Sequence, residues 1–302
     1  MDMETFAREI CAAVEKNLGR EFRAEVREVR KNNGVLLHGL LVSSEGPAVV
    51  PTIYLERFLE AYVSGAAFEE VVRRVLSVYE ESNTKGCIDM GFFRSFEDVR
   101  DRICYRLVGM KGNEALLEEI PYIGFLDLAI CFHYAYHGEE LGDGTVLIYN
   151  SHMEMWETCT AELFSLAGRN TRRLFPWVCR GLGEVLQEME GSGYGADMED
   201  PVDAPFMDLP MKVLSNNKGI HGAACILYPG VLDGVAQEMG NNFFILPSSV
   251  HEVILLPDTG NEDSEDLKKI ISAVNTTQVA PEEVLSDTLY RYDRADKRVV
   301  MV

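Results

Sequence analysis

Apolar and polar residues alternate along this chain with two different periods, and these periods predict which segments are helices and which are strands. Within residues 3–18, Phe6, Ile10 and Val14 recur every fourth residue, the spacing of one face of an amphipathic helix. From Leu126 to Tyr136 the even positions are large and apolar, whereas the odd positions are small or polar. A period of two predicts a strand over residues 125–137 with one face on a core.

The same patterns predict the order α-β-β-α-α-β-β for the N-terminal region. The Asn32-Asn33-Gly34 sequence is typical of a hairpin turn, because asparagine and glycine tolerate positive φ. The predicted segments are a helix at 3–18, strands at 22–26 and 35–42, helices at 55–63 and 68–79, a short helix at 95–102, and strands at 103–108, 125–137 and 146–149.

The second half of the chain begins with predicted helices at 153–159, 160–173 and 176–189. Residues 190–208 are rich in glycine, proline and acids, which predicts a surface loop. The order β-β-α-β-β-α-β-β follows, with strands at 212–215, 223–228, 243–246, 250–256, 288–292 and 298–302, and helices at 231–239 and 265–274. The two most apolar strands flank Pro247-Ser248-Ser249, a turn signal.

Strands that follow each other closely and are joined by tight turns predict an α+β fold. We expect two lobes, each a mostly antiparallel sheet with helices packed on it. The predicted N-terminal lobe covers residues 1–150. Residues 151–302 are predicted to hold the helical segment, the acidic loop at 190–208 and the C-terminal lobe.

Composition and charge narrow the classes of partner. The 302 residues include 47% hydrophobic and 25% charged residues, as in ordinary globular proteins. The net charge of −21 repels nucleic-acid phosphates and anionic lipid headgroups, so we expect no nucleic-acid partner and no membrane partner. The N-terminus lacks the basic and apolar regions of a signal peptide.

The seven cysteines are widely spaced and include no CxxC pair. A disulfide framework or a cysteine-rich zinc site requires closer pairing, so the cysteines are predicted to be free thiols. Together these features predict a cytoplasmic protein without a cofactor.

The first candidate for a catalytic site is a cluster of a serine, a histidine and an acid. Ser248 or Ser249 with His251 would form a hydrolase site if a distant acid, such as Asp287, oriented the histidine. A strand over 250–256 would place His251 and Glu252 on opposite faces, which argues against a local triad.

Histidines of the long predicted strand are the second candidate. His133 and His137, with Asp127 on the same face, suggest a metal site. Two strand residues four positions apart lie about 13 Å apart, however, so these histidines would share an ion only if the segment were helical. The sequence therefore predicts no metal.

Several stretches resemble the uncharacterised DUF5688 family of gut Firmicutes. They are 243–253 (FFILPSSVHEV), 273–287 (AVNTTQVAPEEVLSD), 51–55 (PTIYL), 213–216 (VLSN) and 222–224 (GAA). Residues 160–171 also resemble part of the DUF1444 family. The resemblance implies a bacterial cytoplasmic protein and brings no known catalytic residues.

The favoured interpretation is a non-enzymatic binding or protein-interaction protein with an unidentified protein or small-molecule partner. The alternative is the hydrolase that uses Ser248 or Ser249. Segments 247–252 and 275–287 are the first place to look for a pocket, and Glu252, Asn275 and Gln278 are candidate ligand-binding residues.

Overall fold

The fold was determined as a computed structural model, which describes residues 1–43, 52–83, 90–138, 142–191 and 211–302. Contacts divide the chain into two compact units, one of Met1–Val99 with Ala135–Thr145 and one of Arg100–Tyr134 with Val146–Val302. The paired strands are antiparallel and helices pack on them, so the α+β prediction is confirmed. The boundary at residue 150 stays a prediction.

The helices and strands are numbered in chain order. The helices are α1 (Met3–Leu18), α2 (Glu56–Val63), α3 (Phe68–Asn83), α4 (Phe96–Val99), α5 (Glu114–Leu117), α6 (Asn150–Trp156), α7 (Thr160–Leu174), α8 (Leu182–Gly191), α9 (Val231–Met239) and α10 (Ser264–Thr277). The strands are β1 (Arg23–Arg30), β2 (Leu36–Ser43), β3 (Thr52–Tyr54), β4 (Ile103–Gly109), β5 (Tyr122–Phe125), β6 (Leu128–Gly138), β7 (Gly142–Leu147), β8 (Trp177–Gly181), β9 (Lys212–Asn216), β10 (Phe243–Leu246), β11 (Val253–Pro257), β12 (Tyr290–Asp293) and β13 (Arg298–Met301).

The first unit contains a three-stranded sheet in the order β1-β2-β3. Asn33 joins β1 to β2 with φ of 59°, as the predicted asparagine-glycine turn requires. Helix α1 begins where Asp2 accepts a hydrogen bond from the backbone N–H of Thr5 at 2.8 Å. Its predicted apolar face is fully buried in the core of this unit with residues of β2 and α3.

The second unit contains a six-stranded sheet in the order β13-β12-β10-β11-β9-β8. The predicted hairpin of the two most apolar strands is confirmed: β10 pairs antiparallel with β11 in the register Phe243↔Pro257 to Leu246↔Ile254. Helix α10, predicted at 265–274, is capped by Asp263 and buries Leu267 and Ile271 beside β10. The predicted terminal hairpin is also present as β12 and β13.

A third sheet, of four strands, has the strand order β4-β6-β5, with β7 also paired to β6. The predicted single strand over 125–137 is wrong at its start, because Leu126 adopts φ of 57° and turns the chain between β5 and β6. The next residue, Asp127, accepts hydrogen bonds from the hydroxyls of Ser286 (2.7 Å), Thr288 (2.8 Å) and Tyr290.

The predicted strand at 223–228 is also wrong, since Gly222–Leu227 forms a 3₁₀ helix. Strand β9 already pairs with β8 on one side and β11 on the other, so no edge remains beside it for a strand that returns directly. His221, with φ of 53°, turns the chain into the 3₁₀ helix instead.

Two further boundaries differ from the predictions. The segment 176–189 was predicted to be one helix. Its residues 177–181 instead form strand β8 and pair with β9, and the helix begins only at Leu182. The predicted strand at 250–256 begins at Val253, because the backbone N–H of Val250 donates to the carbonyl of Glu283 (2.8 Å). The predicted acidic loop falls almost entirely on 192–210, outside the described residues.

Candidate ligand-binding site

A cavity of about 820 Å³ lies against one end of the six-stranded sheet, within the second unit. Strands β8, β9 and β11 contribute Val178, Val213 and Ile254 to its wall, and the end of α10 contributes Val274. This volume is in the range of small-molecule sites, which are mainly apolar and hold a few polar groups. The polar and charged residues of the wall are Arg180, Ser215, Asn216, Asn217, Ser248, Ser249, Glu252 and Gln278.

The segment before β11 is fixed by hydrogen bonds from several directions. The backbone N–H of His251 donates to Oγ of Ser249 at 3.0 Å, and Oγ of Ser215 donates to the carbonyl of His251 at 2.7 Å. Ser249 also forms an isolated bridge with Val284. Because both sides of this segment are tied to the second unit, it gives the cavity a defined wall.

Glu252 is a carboxyl group in this wall and is partly buried. Burial raises its pKa above the ordinary value, and Glu283 raises it further, whereas His251 opposes the shift. Glu252 therefore takes up a proton more readily than an ordinary glutamate, and its carboxylate can accept hydrogen bonds from a ligand.

The imidazole of His251 has partners other than a serine. Its Nδ1 accepts a hydrogen bond from the backbone N–H of His221 at 3.2 Å, which leaves Nε2 to hold the proton of the neutral ring. Nε2 lies 3.5 Å from Oε1 of Glu283. The rings of His251 and His221 are stacked, with centroids 5.8 Å apart and an interplanar angle of 13°.

A third histidine extends this stack into the protein. The centroid of the His133 ring lies 5.4 Å from that of His221 and 6.3 Å from that of Phe175. We call His133, His221 and His251 the histidine row. Burial lowers the pKa of His133 to about 3 and holds the pKa of His221 well below its ordinary value, and Arg106 lowers both further. Both imidazoles are therefore neutral at pH 7.

The predicted catalytic residues are not brought together in this arrangement. The Ser249 hydroxyl is bonded to the backbone of His251 rather than to its ring. Asp287 accepts a hydrogen bond from Nδ2 of Asn275 at 2.8 Å, and the acid nearest His251 is Glu283. The hydrolase set stays a hypothesis.

The predicted ligand-binding residues divide into two groups. Glu252 and Gln278 line the cavity. Asn275 is only 7% exposed, and its Nδ2 donates to the carbonyl of Ser286 (3.1 Å) as well as to Asp287. Asn275 therefore holds the segment after α10 in place.

The two histidines considered for a metal lie on a strand. His133 is buried and His137 is exposed, and both belong to β6. Four strand residues span about 13 Å, too far for one ion. Among the described residues, no group of three or more histidine, cysteine or acidic side chains has a geometry that could hold a metal ion.

Sequence reasoning missed His221 and Arg106. His221 follows a turn and belongs to no periodic segment, so its meeting with His133 and His251 has no signature in the sequence. Arg106 had a visible signal: it is the one charged residue in the otherwise apolar run Ile-Cys-Tyr-Arg-Leu-Val-Gly of β4.

The fold and this site define an α+β protein with a mainly apolar cavity beside a short histidine row. The chain belongs to the family of unknown function DUF5688, whose model matches residues 3–294. No curated protein and no solved structure matches it. Within the described ranges, no helix has the length and apolar content that a membrane span requires.

Proposed function

We propose that this protein is a non-enzymatic binding protein whose cavity holds a small, mainly apolar molecule beside Glu252. The observation that carries this proposal is the cavity itself, with a volume of about 820 Å³ and a wall that combines aliphatic side chains with polar and charged ones. It lies beside the segment of the strongest family signature, 243–253.

The polar groups of the wall favour a ligand with an amine or a hydroxyl group. Glu252, the amide of Gln278 and the hydroxyl of Ser248 supply both donors and acceptors. The net charge of −21 favours the approach of neutral or cationic molecules over anions.

A binding role also agrees with the contacts that the candidate catalytic groups already make within the protein. A hydrolase would need a serine hydroxyl bonded to an imidazole, whereas Ser249 accepts from a backbone N–H and both nitrogens of His251 face other groups. Labelling of Ser248 or Ser249 by a fluorophosphonate would favour the hydrolase instead.

We further propose a bacterial cytoplasmic location. The six described cysteines are all free thiols, as expected in a reducing compartment.

Binding of the neutral fluorescent amine N-phenyl-1-naphthylamine tests the proposal. We expect saturable binding to the wild type and an affinity at least tenfold lower for Ile254→Trp, which places an indole ring in the cavity wall. Val63→Trp, at a position 67% exposed, is the matched control and should bind as the wild type does.

Gln278→Trp is a second cavity variant, to be used if Ile254→Trp does not fold, because Gln278 is exposed and also lines the cavity. Its control is Thr276→Trp, an exposed residue on the same helix. Wild-type affinity in both folded cavity variants would overturn the proposal.

A further inference from the structure

Four buried nitrogen atoms in the second unit lack a hydrogen-bond partner in the described structure. They are Nε of Arg106, both ring nitrogens of His133 and Nδ1 of His221. A buried polar atom without a partner is unfavourable, so a group of four requires an explanation. They do not belong to the cavity wall described above.

These atoms come from neighbouring side chains. Arg106 of β4 is directly opposite Cys131 of β6, and His133 is two residues further along β6. Residues in this diagonal relation share a face and lie about 7–8 Å apart, within reach of a long side chain. The ring of His221 is 5.4 Å from that of His133. Arg106 also lowers the pKa of both histidines, as a nearby cation does.

The charge of Arg106 lacks a counterion among the described residues. Burial lowers the pKa of its guanidinium, but an arginine stays protonated in proteins, and no carboxylate is among the charged groups that act on it. Burial of an uncompensated charge is strongly unfavourable. Arg106 and His221 nevertheless keep some accessible surface, although their Nε and Nδ1 atoms are covered.

We propose that Arg106, His133 and His221 form a binding site for a small carboxylate. The guanidinium supplies a planar pair of donors that matches a carboxylate, and the neutral imidazoles can donate N–H groups to the remaining lone pairs. One fixed positive charge balances one negative charge. A metal cation is disfavoured because Arg106 would repel it.

Acetate and formate, added at ionic strength matched with sodium chloride, are the probes for this site. The readout is the long-range ¹H–¹⁵N spectrum of the histidine rings. We expect saturable shifts of the His133 and His221 signals with the carboxylates and none with chloride. In Arg106→Met the saturable shifts should disappear. In Arg106→Lys the affinity should fall at least tenfold, because lysine lacks the planar fork.

Arg27→Met, which removes an exposed arginine of the first unit, is the control and should keep the wild-type shifts. If Arg106→Met does not fold, His133→Phe serves in its place, because phenylalanine preserves an aromatic ring without the nitrogens; the His221 signals should then no longer respond. Shifts that are absent, that do not saturate, or that persist in the folded variants would overturn the proposal and leave bound water as the partner of these atoms. Histidine shifts that saturate with phosphate but not with acetate or formate would refute the assignment of this site to a carboxylate.

Discussion

The backbone N–H of His221 donates a hydrogen bond to Nδ1 of His251 at 3.2 Å, and the two imidazole rings stack on each other. His221 stands at the start of the 3₁₀ helix, whereas His251 stands in the segment that precedes β11. This contact joins the segment that lines the cavity to the histidine row. The close packing around it makes the neighbouring glycine a sensitive position.

Gly222→Ala should destabilise the second unit by about 3 kcal/mol, because the added methyl group would overpack this position. An added Cβ would overlap Oγ of Ser215 and the carbonyl oxygen of His251, and it would lie 2.8 Å from the backbone nitrogen of Asn216. Gly234→Ala is the matched control. Gly234 lies in α9 with no atom within 4 Å of its added Cβ, so alanine should stabilise by about 0.5–1 kcal/mol. Urea denaturation measures both, and equal effects would contradict the packing described here.

Asp127→Ala should lower the free energy of unfolding by about 3 kcal/mol, because three hydroxyl groups lose a charged acceptor. One of them belongs to Tyr290, whose side chain is fully buried. Asp127→Asn keeps one acceptor oxygen and should cost less. Asp98→Ala, at an exposed position, should cost less than about 1 kcal/mol. A cost for Asp127→Ala no larger than that of the control in denaturant titrations would refute the network.

Glu252→Gln should stabilise the protein at pH 8, and the gain should shrink as the pH falls. The folded-state pKa of Glu252 is raised above its ordinary value of 4.5, mainly by burial, so the folded protein binds this proton more tightly than the unfolded chain does. Wild-type stability from this group therefore rises as the pH falls through the raised pKa and is complete below the unfolded value.

Denaturant titrations of the wild type and Glu252→Gln between pH 8 and pH 4 measure this difference. Glu9→Gln, at an exposed position of the first unit, is the control and should show little pH-dependent difference. A constant difference between the wild type and Glu252→Gln across this range would contradict the raised pKa.

Much of the fold was predictable because local sequence patterns agree with the tertiary structure. The spacing of Phe6, Ile10 and Val14 predicted α1, and the helix predicted at 265–274 is present as α10. The apolar runs on either side of Pro247 predicted the β10–β11 hairpin. In each case one segment, or two adjacent segments, contain the whole signal.

The wrong predictions have tertiary causes. The apolar run at 223–228 resembles a strand, but β9 has neighbours on both sides, so the run becomes a 3₁₀ helix. The strand predicted from Val250 begins at Val253 because residues 249–250 pair with 283–284 instead. A local stretch of sequence does not contain the distant segments that compete in this way, so these outcomes cannot be predicted from it.

The candidate site was only partly predictable for the same reason. The wall segment with Ser248, Ser249 and Glu252 was recognisable from its turn and its polar residues. The histidine row joins residues from β6, the turn after β9 and the segment before β11, and no periodicity connects them.

Photolabelling with an alkyl amine that contains a diazirine tests the proposed cavity most directly. After irradiation and proteolysis, mass spectrometry identifies the labelled residues. We predict labelling in segments 178–185, 213–219, 248–254 and 274–279, which line the cavity, with competition by N-phenyl-1-naphthylamine and with loss of labelling in Ile254→Trp. Labelling confined to other segments, or unchanged in folded Ile254→Trp, would contradict the assignment of this cavity as the ligand site.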